Sequence, residues 1–279
     1  MNSSAKQPGP RVKLLVFGVA FLMVLVPFLF WKGTWFGSQL SAEKMNEYLQ
    51  AAAKPRNTQH ALLQISEKLA HSDFEAARQW YPAVLRLSSH PVSEVRTTVA
   101  WLMGQDTQQK AFHEALSVLV QDLNPLVRRN AALALVRFND SRGRPELLAM
   151  LRAFTIQAPR EGVLRYRLEE EDSVSTGTLL FRLETGDTEP VDVRSPVPGF
   201  VERKLVEDQK QVKAGEDILT LSPSEDQVWE ALRALYLIGE PGDSAEIERY
   251  AARVLHMAER TRQQARLTIE AIKKRSPGI

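Results

Sequence analysis

Residues 158 to 222 of this chain contain an internal duplication. The stretches 158–162, 168–170 and 174–180 recur, with a single-residue gap, as 195–199, 205–207 and 212–218. A repeated supersecondary unit cannot bury its apolar face alone, so the two copies should fold together. The duplication predicts one β domain made of two similar halves, which is a binding or carrier module without catalytic machinery of its own.

The composition is that of a folded protein long enough for two ordinary domains, because 44% of its 279 residues are apolar and 25% are charged. The formal charge is +2, from 36 basic and 34 acidic residues that are interspersed along the chain. We therefore expect no nucleic acid partner. The absence of cysteine excludes disulfides, thiolate zinc sites and cysteine nucleophiles.

The N-terminal sequence predicts a membrane anchor. No charged residue occurs from 14 to 31, and a helix of that length reaches about 27 Å, close to the hydrocarbon thickness of a bilayer. Three cations precede this run and one follows it, which predicts a cytoplasmic N-terminus (1–13), a single inner-membrane span (14–32) and a periplasmic or otherwise extracytoplasmic body. The alternative is a cleaved signal peptide, but the apolar run is longer than a typical h-region.

The chain from 41 to 154 has the periodicity of amphipathic helices. Two passages related by a shift of 32 residues share a helix, a short turn with proline and a second helix with small residues, so that Arg96 corresponds to Arg128. The pattern resembles HEAT repeats, whose helix pairs stack into a solenoid around one shared core. A generic helical bundle is the alternative.

The β domain interrupts this helical pattern. Residues 145–154 have the pattern of a repeat's first helix, yet its helical partner follows only at 228–238. We therefore expect an inserted β domain at 155–223 and the remaining HEAT-like helices at 225–275, the last two at about 244–256 and 260–275. Because the helices on either side of the insertion must pack as neighbours, the first and last strands should be adjacent.

The β segment resembles the biotinyl/lipoyl-like fold, a flattened barrel-sandwich of two quasi-symmetric halves. The resemblance covers about 65 residues and rests on the duplicated Pro-to-Gly starts and Val-x-x-Gly-x-x-Leu/Ile ends. Together with the anchor and the helical repeats, it predicts an α+β multidomain protein: an N-terminal transmembrane helix, an α-solenoid of HEAT-like repeats and an inserted all-β domain. Carrier members of the family present a modified lysine on the hairpin between the halves. No lysine occurs from 178 to 203, so we expect no covalent biotin or lipoate and no other cofactor.

Unmodified domains of this kind occur in periplasmic adaptors, also called membrane-fusion proteins, of efflux pumps and secretion systems. That resemblance implies a transporter as partner and a homo-oligomeric ring of the β domain. The chain departs from those adaptors in two ways. About six residues join its halves in place of a long helical hairpin, and helical repeats replace the flanking β-barrel domain.

The sequence contains no recognisable catalytic or metal-ligating constellation. Its five histidines are scattered and form no H-E-x-x-H pair, and no G-x-S-x-G elbow, P-loop or G-x-G-x-x-G motif occurs. The acidic run 169–172 is expected to form a solvated turn, because neighbouring strand residues point to opposite faces. We expect no enzyme activity, no catalytic residue and no metal site.

Candidate partner-binding residues lie at two places. Arg96 and Arg128 should form a ladder, which either ties turns to carboxylates such as Asp122 or recognises a ligand. The tip between the β halves is polar and expected to be exposed, as in relatives that dock partners there. The candidates at the tip are Glu184, Thr185, Gly186 and Asp187.

Three tryptophans lie within helical patterns and are expected in the core, unless one faces the concave side of the solenoid as a partner anchor. They are Trp80, Trp101 and Trp229. The sequence as a whole predicts a non-catalytic, membrane-anchored scaffold that mediates interactions with other envelope proteins. The alternative is an accessory component of an export or efflux complex, and the weakest possibility is an acyl or biotin carrier.

Overall fold

The computed structural model describes residues 19, 21–28, 39–50, 52–186 and 188–275. The chain divides into two compact units, Met1–Glu47 and Tyr48–Ile279. In the first unit, residues 19 and 21–28 are helical and helix α1 (Ala42–Tyr48) begins. The second unit contains a helical array and the β domain.

The helical array flanks the β domain on both sides in sequence. Before the strands lie α2 (Pro55–Ala70), α3 (Phe74–Arg78), α4 (Tyr81–Leu87), α5 (Ser93–Met103), α6 (Lys110–Leu119), α7 (Pro125–Arg137) and α8 (Arg144–Ala149). After the strands lie α9 (Glu225–Ile238), α10 (Ser244–Ala251) and α11 (Glu259–Arg275). Proline stands in the first turn of α2, α4, α7 and α8, where its missing N–H costs no intrahelical hydrogen bond.

Helices α2, α5, α7, α9 and α11 lie side by side, each in contact with the next, and we call them the second-helix layer. Val95, Val99 and Leu102 of α5 follow the helical period and are fully buried. Gly104 ends α5 close against α7, because a Cβ at this position would lie only 2.9 Å from the Cβ of Ala134. Small residues therefore set the close spacing of these two helices.

The β domain consists of two four-stranded sheets. Its strands are β1 (Phe154–Gln157), β2 (Gly162–Tyr166), β3 (Ser173–Val174), β4 (Leu179–Thr185), β5 (Thr188–Arg194), β6 (Gly199–Lys204), β7 (Gln211–Val212) and β8 (Asp217–Pro223). The strand orders are β1-β8-β6-β3 and β5-β4-β2-β7. Strands β1 to β4 form the first half and correspond in order to β5 to β8 of the second half, and corresponding strands occupy the same positions in the two sheets. The halves also exchange their short strands, because β3 pairs with β6 and β7 pairs with β2.

Backbone geometry repeats in the two halves. Gly177 donates its N–H to the carbonyl of Ser195, and Gly215 donates to the carbonyl of Ala158, each over 2.8 Å. Both glycines have positive φ angles, 85° and 80°, which side chains other than glycine rarely adopt. The duplicated sequence thus encodes duplicated turns and hydrogen bonds.

The first and last strands of the β domain are neighbours, as the insertion argument predicted. Strand β1 pairs antiparallel with β8, and Phe154 lies opposite Leu221. This pairing confirms that the two ends of the inserted segment lie side by side. Leu126 of α7 packs against the apolar core of the β domain and joins it to the helical array.

The helical array closes again across the insertion through buried hydrogen bonds. The amide Nε2 of Gln227 donates to the carbonyl of Met150 over 2.7 Å, and its Oε1 accepts from Arg129 over 2.6 Å. The hydroxyl of Tyr250 donates to the carbonyl of Leu151 over 2.6 Å. These bonds satisfy carbonyls at the end of α8 that have no intrahelical partner.

The predicted membrane anchor is wrong. Among the described residues, no helix is both long and apolar enough to cross a membrane. The longest described helix, α11, has 17 residues and carries many charges. The single span at 14–32 and the inner-membrane location with a periplasmic body are corrected accordingly. Within 14–32, all residues except 19 and 21–28 lie outside the described part of the chain.

Helix α10 is shorter than predicted. It ends at Ala251, whereas the periodicity predicts helix to about His256. Ala252 has extended backbone angles, and His256 has a positive φ of 59°. The ring of His256 stacks on Phe200 of β6 with a centroid distance of 3.9 Å, so a contact with the β domain replaces the last helical turn.

The close approach of β6 to β8 predicts a large effect of a single methyl group. In Gly199→Ala the new Cβ would collide with the carbonyl oxygen of Ser222, and both backbones are fixed by strand pairing. We expect the free energy of unfolding to fall by about 1–3 kcal/mol. Thermal unfolding followed by circular dichroism measures this. Gly242→Ala is the control, since nothing lies within 4 Å of its Cβ position, and an equal loss in both variants would refute the steric argument.

Candidate functional site

The guanidinium of Arg96 is fully engaged by the helical array. Its Nε and Nη2 donate to the two carboxylate oxygens of Asp122 over 2.7 and 2.8 Å, a bidentate pair. Its Nη1 donates to the carbonyls of His90 and Pro91 in the preceding turn. Arg96 therefore joins its own turn to the turn of the next repeat.

Arg128 repeats this arrangement one repeat later. Its Nη1 donates to the carbonyls of Asp122 and Leu123, again six and five residues upstream, over 2.9 and 3.1 Å. Its Nε donates to the carboxylate of Glu146 over 2.8 Å. The ladder expected from the sequence is present, and both of its members hold turns together.

The electrostatics of the ladder follow from these bonds. The hydrogen bonds from Arg96 lower the pKa of Asp122 below its ordinary value of 3.8, against the opposing effect of burial. Asp122 in turn raises the pKa of Arg96. Asp122 also accepts the N–H of Asn124 over 2.8 Å, and Asn124 caps α7 by accepting from Leu126. The pair thus positions the start of α7.

The hairpin between the β halves is tighter than predicted. Strands β4 and β5 extend to Thr185 and Thr188, which pair with each other, so two residues form the turn instead of about six. Gly186 has a positive φ of 64°, which the sharp reversal requires. Glu184 is half exposed and forms an ion pair with Arg165 of β2 over 3.2 Å. Asp187 lies outside the described residues.

An open groove in the second-helix layer brings together residues that the sequence separates widely. It lies between α7 and α9, with the end of α5 and part of α11 at its borders, and its volume is about 710 Å³. The α7 wall consists of Asn130, Leu133, Ala134, Val136 and Arg137, and the α9 wall of Glu230, Arg233, Ala234, Tyr236 and Leu237. The borders include Trp101, Gln105, Gln264 and Leu267.

The three helical tryptophans have different environments. Trp80 is buried. Trp229 is half buried beneath the guanidinium groups of Arg233 and Arg260, 4.6 and 5.4 Å from its ring centre. Trp101 is 47% exposed at the border of the groove, so it is the tryptophan that a partner can contact.

The groove escaped sequence analysis because its walls are about 100 residues apart and the β domain separates them. One signal was present: both walls have apolar residues at helical spacing, Leu133 and Ala134 on α7 and Ala234 and Leu237 on α9. That pattern equally describes a buried helix face. Only the packed array shows that these faces remain uncovered.

Polar clusters elsewhere have structural explanations. His113 and Asp140 lie 2.6 Å apart, and Arg142 donates to the same carboxylate, while the His113 ring stacks on Phe138. Hydrogen bonds from Arg142 are the main reason that the pKa of Asp140 is lowered. Within the described ranges, no group of three or more histidine or acidic side chains could hold a metal ion.

Comparison with known proteins supports one part of the architecture. Residues 81–160 match the family model described as HEAT repeats, which confirms the prediction of HEAT repeats for that stretch. No curated protein matches the chain.

Among solved structures, one similar chain is titled a single-chain, multi-domain long-chain acyl-CoA carboxylase. It is 17% identical, with a TM-score of 0.25 over 52% of this chain. The match spans only 17% of that structure's own length. A likeness at this TM-score supports no conclusion about fold or function.

The bidentate pair predicts a pH-dependent contribution to stability. The folded-state pKa of Asp122 is lowered, so the ionised carboxylate stabilises the fold above its unfolded pKa of about 3.8. This contribution is lost as the pH falls through the folded value. Asp122→Asn should lower the free energy of unfolding at pH 7 by about 1–3 kcal/mol. The free energy of unfolding of the variant should also fall less steeply than that of the original protein as the pH is lowered.

Urea unfolding at a series of pH values measures this effect. Glu114→Gln is the matched control, because Glu114 pairs with Lys110 at 3.7 Å on the exposed surface, where such pairs contribute little. Similar losses in both variants would show that the Arg96 pair has no special role.

Proposed function

We propose that the chain is a non-catalytic adaptor that binds other proteins through the second-helix layer of its HEAT repeats. One observation carries this proposal. Four helices of the layer each expose a large apolar side chain, with exposures from 47% to 60%: Leu63, Trp101, Leu237 and Leu267. Three of them, Trp101, Leu237 and Leu267, line one groove, and uncovered apolar side chains gathered in one place are typical of a surface that binds a partner.

The architecture of the repeats supports the same function. Stacked helix pairs contact only their neighbours and present one long surface, which suits binding of extended partners. The ladder of Arg96 and Arg128 stiffens that surface, because each arginine joins two successive turns. A stiff surface loses little conformational entropy when a partner docks.

We infer that the β domain has the biotinyl/lipoyl-like fold. The exchange of β3 and β7 between equivalent halves supports this. With no lysine from 178 to 203, the hairpin lacks the amine that a carrier needs, so the domain's role is to contact partners. Glu184, Thr185, Gly186 and Asp187 at the hairpin remain candidates for that contact.

A second candidate function is that of an accessory component in an export complex. The two-half organisation of the β domain favours it, because unmodified domains of this kind build the rings of export adaptors. The two-residue turn between β4 and β5 leaves no room for the long helical hairpin of those proteins. A ring of β domains is the part of their organisation that this chain could share.

Oligomeric mass separates the two candidates. The export candidate requires a ring, so light scattering during size-exclusion chromatography should give a multiple of the 31.5 kDa chain mass. The adaptor needs no self-association and is expected at 31.5 kDa. A monomer at micromolar concentration would exclude the ring, and a closed ring would make the export candidate the better one.

The adaptor proposal predicts that partners depend on the exposed row of the second-helix layer. The variant Leu63→Ser, Trp101→Ser, Leu237→Ser, Leu267→Ser should fold normally, because these side chains are exposed, yet lose its co-purifying proteins. Quantitative mass spectrometry of affinity-purified protein measures this loss. Val118→Ser with Leu123→Ser is the control, since both residues are exposed and lie outside the layer. Partners that are equally retained by both variants, or no stable partner at all, would contradict the adaptor function.

A further inference from the structure

We propose that the groove between α7 and α9 binds one amphipathic α-helix of a partner protein, with an apolar stripe flanked by carboxylates. The inference rests on the proposed adaptor function and deepens it by naming the occupant.

The apolar residues of the walls fit a helix. They are Leu133, Ala134 and Val136 on α7 and Ala234, Tyr236 and Leu237 on α9, with polar or charged residues beside them. Each set forms an apolar stripe, the kind of face that a helix normally buries against another helix. Where α5 meets α7, the contact of Gly104 with Ala134 closes the layer, but between α7 and α9 the two stripes face an open groove. A third helix lying along it would cover both stripes.

The depth of burial distinguishes a floor from two rims. Ala134 and Ala234 are buried at the floor, and small side chains there let an incoming backbone approach. Leu237 and Leu267 are 60% and 50% exposed at the rim, and Trp101 is exposed at one end. Sites for small molecules enclose most of the ligand surface, whereas exposed rims suit a helix that keeps one face in water.

The charges of the groove favour an acidic occupant. Arg137 and Arg233 project from opposite walls, and neither forms an ion pair within 4 Å with a carboxylate in the described part of the chain. Arg137 donates to the neutral Oε1 of Gln105 over 3.0 Å, and Arg233 lies over the ring of Trp229. Neither cation is held in an ion pair, so each can donate to a carboxylate of a partner without breaking one.

The single carboxylate of the groove does not balance these cations. Arg137 and Arg233 face this one carboxylate, Glu230, whose pKa is raised by partial desolvation and by the nearby charge of Asp226. Glu230 lies on the same helix as Arg233, one turn away, and leaves Arg137 on the opposite wall uncompensated. The net charge of the walls is therefore positive.

Synthetic peptides test the assignment directly. Three fluorescent 18-residue helical peptides share one leucine stripe and differ only in flanking residues, which are glutamate, lysine or glutamine. Fluorescence anisotropy with the full-length chain should show the glutamate peptide binding about tenfold more tightly than the lysine peptide, a difference that shrinks with added salt. Absence of binding by all three peptides, or preference for the lysine peptide, would overturn the proposal.

Charge reversal provides a sharper readout. Arg137→Glu with Arg233→Glu should invert the preference towards the lysine peptide, while Leu237→Ser with Leu267→Ser should abolish binding of every peptide. The control Arg203→Glu with Arg253→Glu makes the same change in net charge at exposed positions outside the groove. An equal effect of the control would show that only overall charge matters. Self-association that the leucine variant removes would show that a second copy of this chain occupies the groove, and would overturn the assignment.

The outcome is independent of the adaptor test. If the four-residue row variant loses its partners but the charge-reversed protein keeps them, the adaptor function stands and the assigned occupant is wrong. If the peptides bind with the expected preference but no partner co-purifies, the groove assignment stands and the adaptor function fails.

Discussion

The second unit depends on contacts that bring the two ends of the inserted β domain together. The chain leaves the helical array after Leu151 and returns at Glu225, so two distant segments must be held together before α8 and α9 can pack against each other. Pairing of β1 with β8 brings the ends together, and Gln227 then joins Met150 to Arg129. Arg129 is 5% exposed, and burial lowers its pKa to about 10. An arginine remains protonated at that value, so the array keeps a buried cation at its joint and stabilises it with Gln227 and the nearby Glu146.

The β domain was the part of the fold that the sequence predicted best. Its turns and strands are specified by short sequence patterns, and these patterns occur in both copies of the duplication. Gly177 and Gly215 mark turns that only glycine adopts readily, and the matched positions recur in space as they do in sequence. The repeats were predictable for a similar reason, since helix period and turn chemistry act within about 30 residues. The short hairpin was missed because Thr185 and Thr188 pair with each other and continue the strands. The polar sequence around them is typical of a longer loop.

Helix ends and uncovered helix faces depend on tertiary contacts, which hydrophobicity and periodicity do not report. An uncharged run from 14 to 31 predicted a spanning helix, but the described residues contain no helix fit to cross a membrane. Helix α10 stops early because His256 stacks on Phe200, a contact between segments far apart in sequence. The groove was unpredictable in the same way, and of the candidate residues the two arginines proved to be engaged in holding turns.

The strand exchange within the β domain suggests how such a domain could arise. Each half contributes its short strand to the sheet that contains longer strands of the other half. A half that folded alone would therefore leave its own short strand unpaired and would lack the short strand that its longer strands need. Two separate copies of an ancestral single-half polypeptide could complete each other as a symmetric, swapped homodimer. Fusion of the two genes would then make that association intramolecular and independent of concentration. The halves could diverge in sequence, as Ala158 and its counterpart Ser195 have, once a single chain carried both.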